Sequence, residues 1–382
     1  MFISTRKKAA FPSLNIKTKI DLIGESFFGP SSSIFVGHFG YPDVFVGPMA
    51  SIEYSSEQDD PSKWFGKSYD EIIQLRSLLL RSKYKQNIKS TERFIGENRE
   101  IVLAKKPTDV ELTFVKKPSY SMTFSNFVNP VGPSAALKEM RLAENPKIPN
   151  AVEKIVNDDI KAGNAACLLY KKGEDVYRIT NILSSGAVGM NKNKKLVPTR
   201  WSITAVDDMI AKNLMGSIRC HKSVNDFLVF SSDYMDNHFT ILFTPGSWQF
   251  ENFEAWAPGS NWCFSSSVEI SEEYEPFSGR SDYAESQVGG YYASRLAICE
   301  ALNAMKRQAS VIAIREIGED YSMPLGVWQV RENVRNAFRK RPESFSRKDD
   351  ALKYVSSRLR LPFREYIKRS KILQQKRLGD FF

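Results

Sequence analysis

Four groups of residues in this chain have the types and spacing to do chemistry. The first is a glycine-rich stretch with Ser31, Ser32, Ser33, Gly37, His38 and Gly40. Glycine lets a backbone approach a ligand closely, and serine hydroxyls with exposed amides can hold phosphate. It lacks the Gly-Lys-Ser/Thr ending of a P-loop. A tight hairpin would need the same glycines for its dihedral angles, so both readings stay open. The second is Thr199-Arg200-Trp201-Ser202-Ile203-Thr204-Ala205-Val206-Asp207-Asp208. Here Arg200 offers a phosphate fork and Trp201 a plane on which a base can stack. The local alternative makes Thr204 a helix cap, with Asp207 three residues on.

The third is Gly289-Gly290-Tyr291-Tyr292-Ala293-Ser294-Arg295. Two glycines open a helix whose start can receive an anion. Tyr291 and Arg295 stand four apart and share a face, which suits a nucleotide or a DNA end as well as ordinary packing. The fourth is a helical pattern from Val327 to Arg341. Val327, Val330, Val334 and Phe338 form its apolar stripe, while Arg331, Arg335 and Arg339 recur at i, i+4 and i+8 as a phosphate track.

The tail Gln375-Lys376-Arg377-Leu378-Gly379-Asp380-Phe381-Phe382 adds a binding motif. It resembles the peptide by which replication and repair proteins dock on the ring-shaped sliding clamp PCNA. One 3₁₀ turn would gather Leu378, Phe381 and Phe382 into an apolar plug beside Gln375. Burying three such side chains gains about 1.5–3 kcal/mol each, offset by the cost of ordering the segment. Exchangeable, micromolar binding is expected.

Charge points the same way. The net charge is +10, and residues 331–382 hold 16 Lys and Arg against 6 Asp and Glu, so the whole excess lies beside the tail. A positive field focused there would attract a phosphate backbone. No apolar run approaches the roughly 20 residues of a membrane span, and no apolar segment follows the basic N-terminus, so no membrane partner and a cytoplasmic, nucleoid-associated location are expected. Cys167, Cys220, Cys263 and Cys299 are too scattered for a disulfide framework, and no zinc is expected.

The elements that must position these groups alternate without a strict βαβ rhythm. Strands are expected at 33–39 and 43–47 around Gly40-Tyr41-Pro42-Asp43, then a helix over 68–85 and a strand at 110–116. Residues 134–162 read as helices broken at Pro146 and Pro149. Strands are expected at 166–171, 175–183, 226–231, 238–243 and 261–270, with a helix at 204–214 among them. Beyond a boundary at 271–287 come a helix (288–308), a buried strand (310–316), helices at 325–340 and 347–360, and a last one from Pro362. The class is α+β: a mixed, largely antiparallel β-rich N-terminal region and a more helical, basic C-terminal region.

Several segments together resemble one family. Pro30-Ser-Ser-Ser-Ile-Phe-Val-Gly-His-Phe-Gly-Tyr-Pro-Asp-Val44, Thr199 to Asp208, Gly289 to Arg295, Pro324-Leu-Gly-Val-Trp-Gln-Val-Arg-Glu332 and the terminal motif are similar to the archaeal Nre DNA-repair proteins. The resemblance implies an N-terminal family region over 1–275, a C-terminal one over 276–373, and a clamp-binding tail over 374–382. It implies a repair role and docking on PCNA, but no catalytic residues. Some relatives carry an N-terminal cysteine-rich zinc element, which this chain, with no cysteine before Cys167, should lack. The reading that follows is a DNA repair factor that binds DNA or a nucleotide and reaches PCNA through its tail. The rival is a metal-dependent nuclease or phosphodiesterase delivered by that tail, with Asp207, Asp282 and a histidine converging on a metal.

Overall fold

The computed structural model describes residues 19–258, 268–321 and 323–375. It divides into two compact units, one within residues 10–210 and the other within 211–382. Each combines helices with one mixed sheet, so the α+β class holds.

The first unit is built on a closed barrel. Strands β1 (Ser26–Val36), β2 (Asp43–Ser51), β3 (Leu79–Asn87), β4 (Thr108–Phe114) and β5 (Ser134–Leu142) join in the order β1-β2-β3-β5-β4, and β1 returns to pair with β4. Every pairing is antiparallel except the short β3–β5 contact. The period of two along β4 sends Val110, Leu112 and Phe114 inward, where they meet Ala50, Leu80, Ala135, Leu137 and Met140. Ile101, from helix α2 (Arg93–Leu103), joins this core. Gly47 is required by close strand approach: a Cβ there would lie 2.5 Å from the Ser82 carbonyl oxygen.

The sequence reading is corrected at three places in this unit. The apolar periodicity over 68–85 is two elements. Helix α1 (Tyr69–Ser77) starts at a Ser68–Glu71 capping box and stops at Leu78; β3 then takes over because its register with β2 buries Leu80 and Ser82. Residues 134–142 form strand β5, since Ala135, Leu137 and Met140 fill the barrel; only α3 (Asn150–Asn157) is helical in the stretch that follows to residue 160. The expected strands at 166–171 and 175–183 are helices α4 (Ala162–Lys171) and α5 (Val176–Ser184). Asp175 caps α5 by accepting from the Tyr177 and Arg178 amides, and Val176, Ile179, Thr180 and Leu183 are buried at helical spacing. Helix α6 (Thr199–Ile218) begins before and ends after the expected 204–214.

The second unit carries a six-stranded sheet. Its strands are β6 (Phe227–Tyr234), β7 (Asn237–Thr244), β8 (Gln249–Trp256), β9 (Glu269–Glu275), β10 (Ser310–Ile317) and β11 (Glu343–Phe345). Their order is β11-β6-β7-β10-β8-β9, and only β8 and β10 run parallel. All of β10 is buried. Helices α7 (Gly289–Met305), α8 (Trp328–Ala337), α9 (Lys348–Arg358), α10 (Arg364–Ile367) and α11 (Lys371–Gln374) complete the unit. One core joins Val229, Leu242, Phe253, Ile312 and Ile314 of the sheet to Ala351, Val355, Tyr366 and Ile372.

Two buried carboxylates hold the last helices in place. Glu316 accepts from the backbone amides of Arg360 (2.7 Å) and Leu361 (3.0 Å) and from the Tyr366 hydroxyl (2.8 Å). Glu251 accepts from the Lys371 amide (2.6 Å) and the Ser370 hydroxyl. The helix expected from Pro362 is therefore two short ones, α10 and α11. Among the described residues, no helix is long and apolar enough to cross a membrane.

Candidate nucleic-acid interface

The hairpin loop between β1 and β2 meets the first turn of α6. The Val36 amide, at the end of β1, donates to the Thr199 hydroxyl at 3.0 Å. The Pro198 carbonyl accepts from the Trp201 and Ser202 amides, so α6 starts here and Thr204 is a buried helix residue rather than a cap. That start sets Arg200 and Trp201 against the hairpin. Arg200 Nη1 lies 3.1 Å from His38 Nε2, and its guanidinium sits 4.0 Å over the Phe127 ring, in the loop between β4 and β5. Trp201 packs 5.1 Å from Tyr41, yet stays 45% exposed.

The electrostatics are one-sided. Guanidinium has no acceptor, so the neutral His38 ring accepts through Nε2. Burial first, then the charges of Arg200 and Arg81, holds the His38 pKa below its ordinary value. Arg81 lies 4.0 Å over Phe35, and burial brings its pKa down to about 10. Neither Arg81 nor Arg200 has an ion-pair partner among the described residues. Cations held close without a carboxylate attract a polyanion.

Ser32 and Ser33 lie apart from this patch. They line a cavity of about 290 Å³ together with Tyr54, Lys63, Lys105 and Arg178. The Ser33 hydroxyl donates to Asp59, which also receives Arg76, so Ser33 serves a local network.

In the second unit the expected ligand groups are turned inward. Tyr291 and Arg295 are fully buried and share Glu275: the Tyr291 hydroxyl donates to it at 2.9 Å, and Arg295 forms an ion pair with it. The glycine-led start of α7 faces the protein's own carboxylate. A Cβ on Gly290 would lie 2.6 Å from Glu254 Oε1, and Glu254 is paired with Arg315 at 2.9 Å. Gly289 is likewise buried. The arginine stripe also divides. Arg331 is 2% exposed, Arg335 grips Glu300 with two bonds of 2.7 Å and Glu332 with one of 2.8 Å, and Arg339 is exposed. Glu332 sits between the arginines in sequence and neutralises one of them, which the spacing of the arginines hides.

Of the tail residues, Gln375 is described; its Oε1 accepts from Gln249 Nε2 at 3.3 Å, while Leu378, Phe381 and Phe382 lie outside the described residues. Among the described residues, no three His, Cys, Asp or Glu side chains gather at metal-ligand spacing. The patch also contains residues that sequence reasoning passed over: Phe39, Tyr41, Arg81 and Phe127. One signal was available for their neighbour Phe45, which stands between buried Val44 and Val46 and is therefore an aromatic on the solvent side of a strand.

These features define a two-unit α+β protein with a cation–aromatic patch on a small closed barrel. The chain belongs to the archaeal Nre family and is a DNA repair protein. The family described as Archaeal Nre, N-terminal, matches residues 11–263, and Archaeal Nre, C-terminal, matches 275–381. It is 38% identical over 353 residues to the DNA repair protein NreA of Archaeoglobus fulgidus, covering 92% of this chain and 88% of that one. It is 38% identical over 330 residues to NreA of Haloferax volcanii, covering 82% and 79%. It is 33% identical over 383 residues to the DNA repair protein NreB of Archaeoglobus fulgidus, covering 99% and 96%. No solved structure matches the chain.

Proposed function

We propose that this protein acts in repair by binding DNA at the barrel patch and by docking on the sliding clamp PCNA through Gln375, Leu378, Phe381 and Phe382. The observation that carries the DNA reading is the meeting of Arg200, His38, Phe127 and Trp201, drawn from three distant parts of the chain into one unneutralised, ring-lined patch. Such a patch offers a fork for phosphate and planes for bases, and a nucleotide would use the same groups. The clamp reading rests on the spacing of the tail motif. The exposed Arg339 and the basic residues after it supply further phosphate contacts near that tail. The reading places the protein in the cytoplasm, at the nucleoid.

The test is a binding isotherm for labelled DNA at several salt concentrations, with a parallel assay on immobilised PCNA. Phosphate contacts make log affinity fall linearly with log salt. Binding without salt dependence, or none at low salt, would overturn the DNA reading. Failure to be retained on PCNA would overturn the clamp reading independently.

A further inference from the structure

We infer that the first unit's barrel binds single-stranded DNA across the outer face of β1, β2 and β3, with bases stacked on Phe39 and Phe45 and the backbone held by Arg81, Lys85 and Arg200. This deepens the DNA-binding reading above and rests on it.

The connectivity is the first observation. A closed barrel in the order β1-β2-β3-β5-β4, with a parallel β3–β5 contact and a helix between β3 and β4, is the wiring of the OB barrel. In that barrel, the face of strands 2 and 3 and the loops joining strands 1–2 and 4–5 receive oligonucleotides. Wiring alone does not assign a function, so the side chains must agree.

They agree at each of those places. On β2, Val44 and Val46 are buried while Phe45 between them is 45% exposed. Phe45 stands opposite Lys85 of β3 in the strand register, so a ring and an ammonium share the outer face. One step along, Phe35 of β1 stands opposite Gly47, and the Arg81 guanidinium covers its ring. The loop joining strands 1 and 2 carries Phe39, 81% exposed, its ring centroid 4.0 Å from that of His38 and tilted 35° to it. The loop joining strands 4 and 5 supplies Phe127, which Arg200 bridges to His38. Asp43, on the same strand as Phe45, accepts from Asn87 at 2.8 Å.

The chemistry selects a single strand over a duplex. In a duplex each base already stacks on its neighbours, so exposed rings on a protein find no free face. An unpaired strand presents π-faces that rings can cover, regardless of sequence, while its phosphates follow the cations.

The test uses the full chain and measures anisotropy of a labelled oligo-dT and of a hairpin duplex at about 50 mM salt. The expected result is preference for oligo-dT, with Phe39→Ala/Phe45→Ala weakening it tenfold or more and weakening duplex binding several-fold less than that. Phe45→Leu keeps apolar bulk without a ring and should weaken oligo-dT binding as alanine does. Thermal melts of the variants confirm folding. Duplex bound as tightly as oligo-dT, with oligo-dT unaffected by the ring substitutions, would overturn this inference while leaving DNA binding intact. Tighter binding of oligo-rU would make the occupant RNA and overturn it too. No binding of either DNA form would overturn the broader reading as well.

Discussion

Arg200 and His38, 162 positions apart in sequence, lie 3.1 Å apart, and the arginine stacks on Phe127 at the same time. The guanidinium is thus fixed on two sides, and no carboxylate among the described residues pairs with it. Arg200→Ala should reduce the salt slope of DNA binding by about one and lower affinity for all sequences. Arg200→Lys keeps the charge but loses the planar stack, so it should recover only part of the affinity. DNA should also raise the pKa of His38, because a nearby phosphate opposes the charges of Arg200 and Arg81 that, after burial, hold it down. NMR titration of the His38 ring with and without DNA reads this directly; an unchanged midpoint would remove His38 from the interface.

The buried pair in the second unit gives a separate prediction. Both Arg295 and Glu275 side chains are fully enclosed, and Glu275 also receives the Tyr291 hydroxyl. Glu275→Gln leaves a buried guanidinium uncompensated and should cost about 3–5 kcal/mol in chemical denaturation. Arg295→Met should likewise act on stability, with DNA affinity of the folded fraction retained. Lost DNA binding in a stable Arg295 variant would return that residue to the binding surface.

Glu251 makes stability depend on pH. Burial pushes its carboxyl up to about 7, against the opposing bonds from Ser370 and Lys371, and Glu272 moves upward for the same reason. The folded chain then holds a proton that the unfolded chain, titrating near 4.5, has released. Stability from this site is full below about 4.5 and declines as pH rises toward 7. Glu251→Gln cannot titrate, so its melting temperature should fall less than that of the natural protein over this range. Parallel curves for the two proteins would refute the assignment.

Phe381→Ala with Phe382→Ala should abolish retention on PCNA while leaving binding to free DNA unchanged. Undiminished clamp affinity in that double variant would discard the motif. Loss of both activities would tie the tail to DNA as well.

The hairpin, α6, α7, α8 and β10 were legible because each carries its own local pattern or turn chemistry. Helices α4 and α5 were not: the short apolar run Ala165–Tyr170 reads equally as a buried strand despite its helix-forming Ala and Leu, and Val176–Leu183 offers β-prone side chains whose helical spacing is decided by burial. Strand β8 escaped notice because Glu251, Asn252 and Glu254 are buried polar residues, satisfied only by partners such as Ser370, Gln287 and Arg315. Of the barrel patch, His38, Arg200 and Trp201 were named one by one, and their union depends on the start of α6 reaching the β1–β2 loop. Arg295 read as a surface cation because nothing local to it announces Glu275, 20 positions upstream.

The anchoring of the C-terminal helices has a consequence for recruitment. Gln375, the first residue of the tail motif, follows α11 directly and already touches Gln249 of the sheet. Ser370 and Lys371, just before it, are fastened to Glu251. There is no slack between the anchored Ser370 and Lys371 and Gln375, where the described residues end. A flexible tether would raise local concentration while letting its cargo face any direction. On the clamp reading proposed above, a joint this short would work as a bracket: seated on the ring, it would set the heading of the second unit as well as its distance from the DNA.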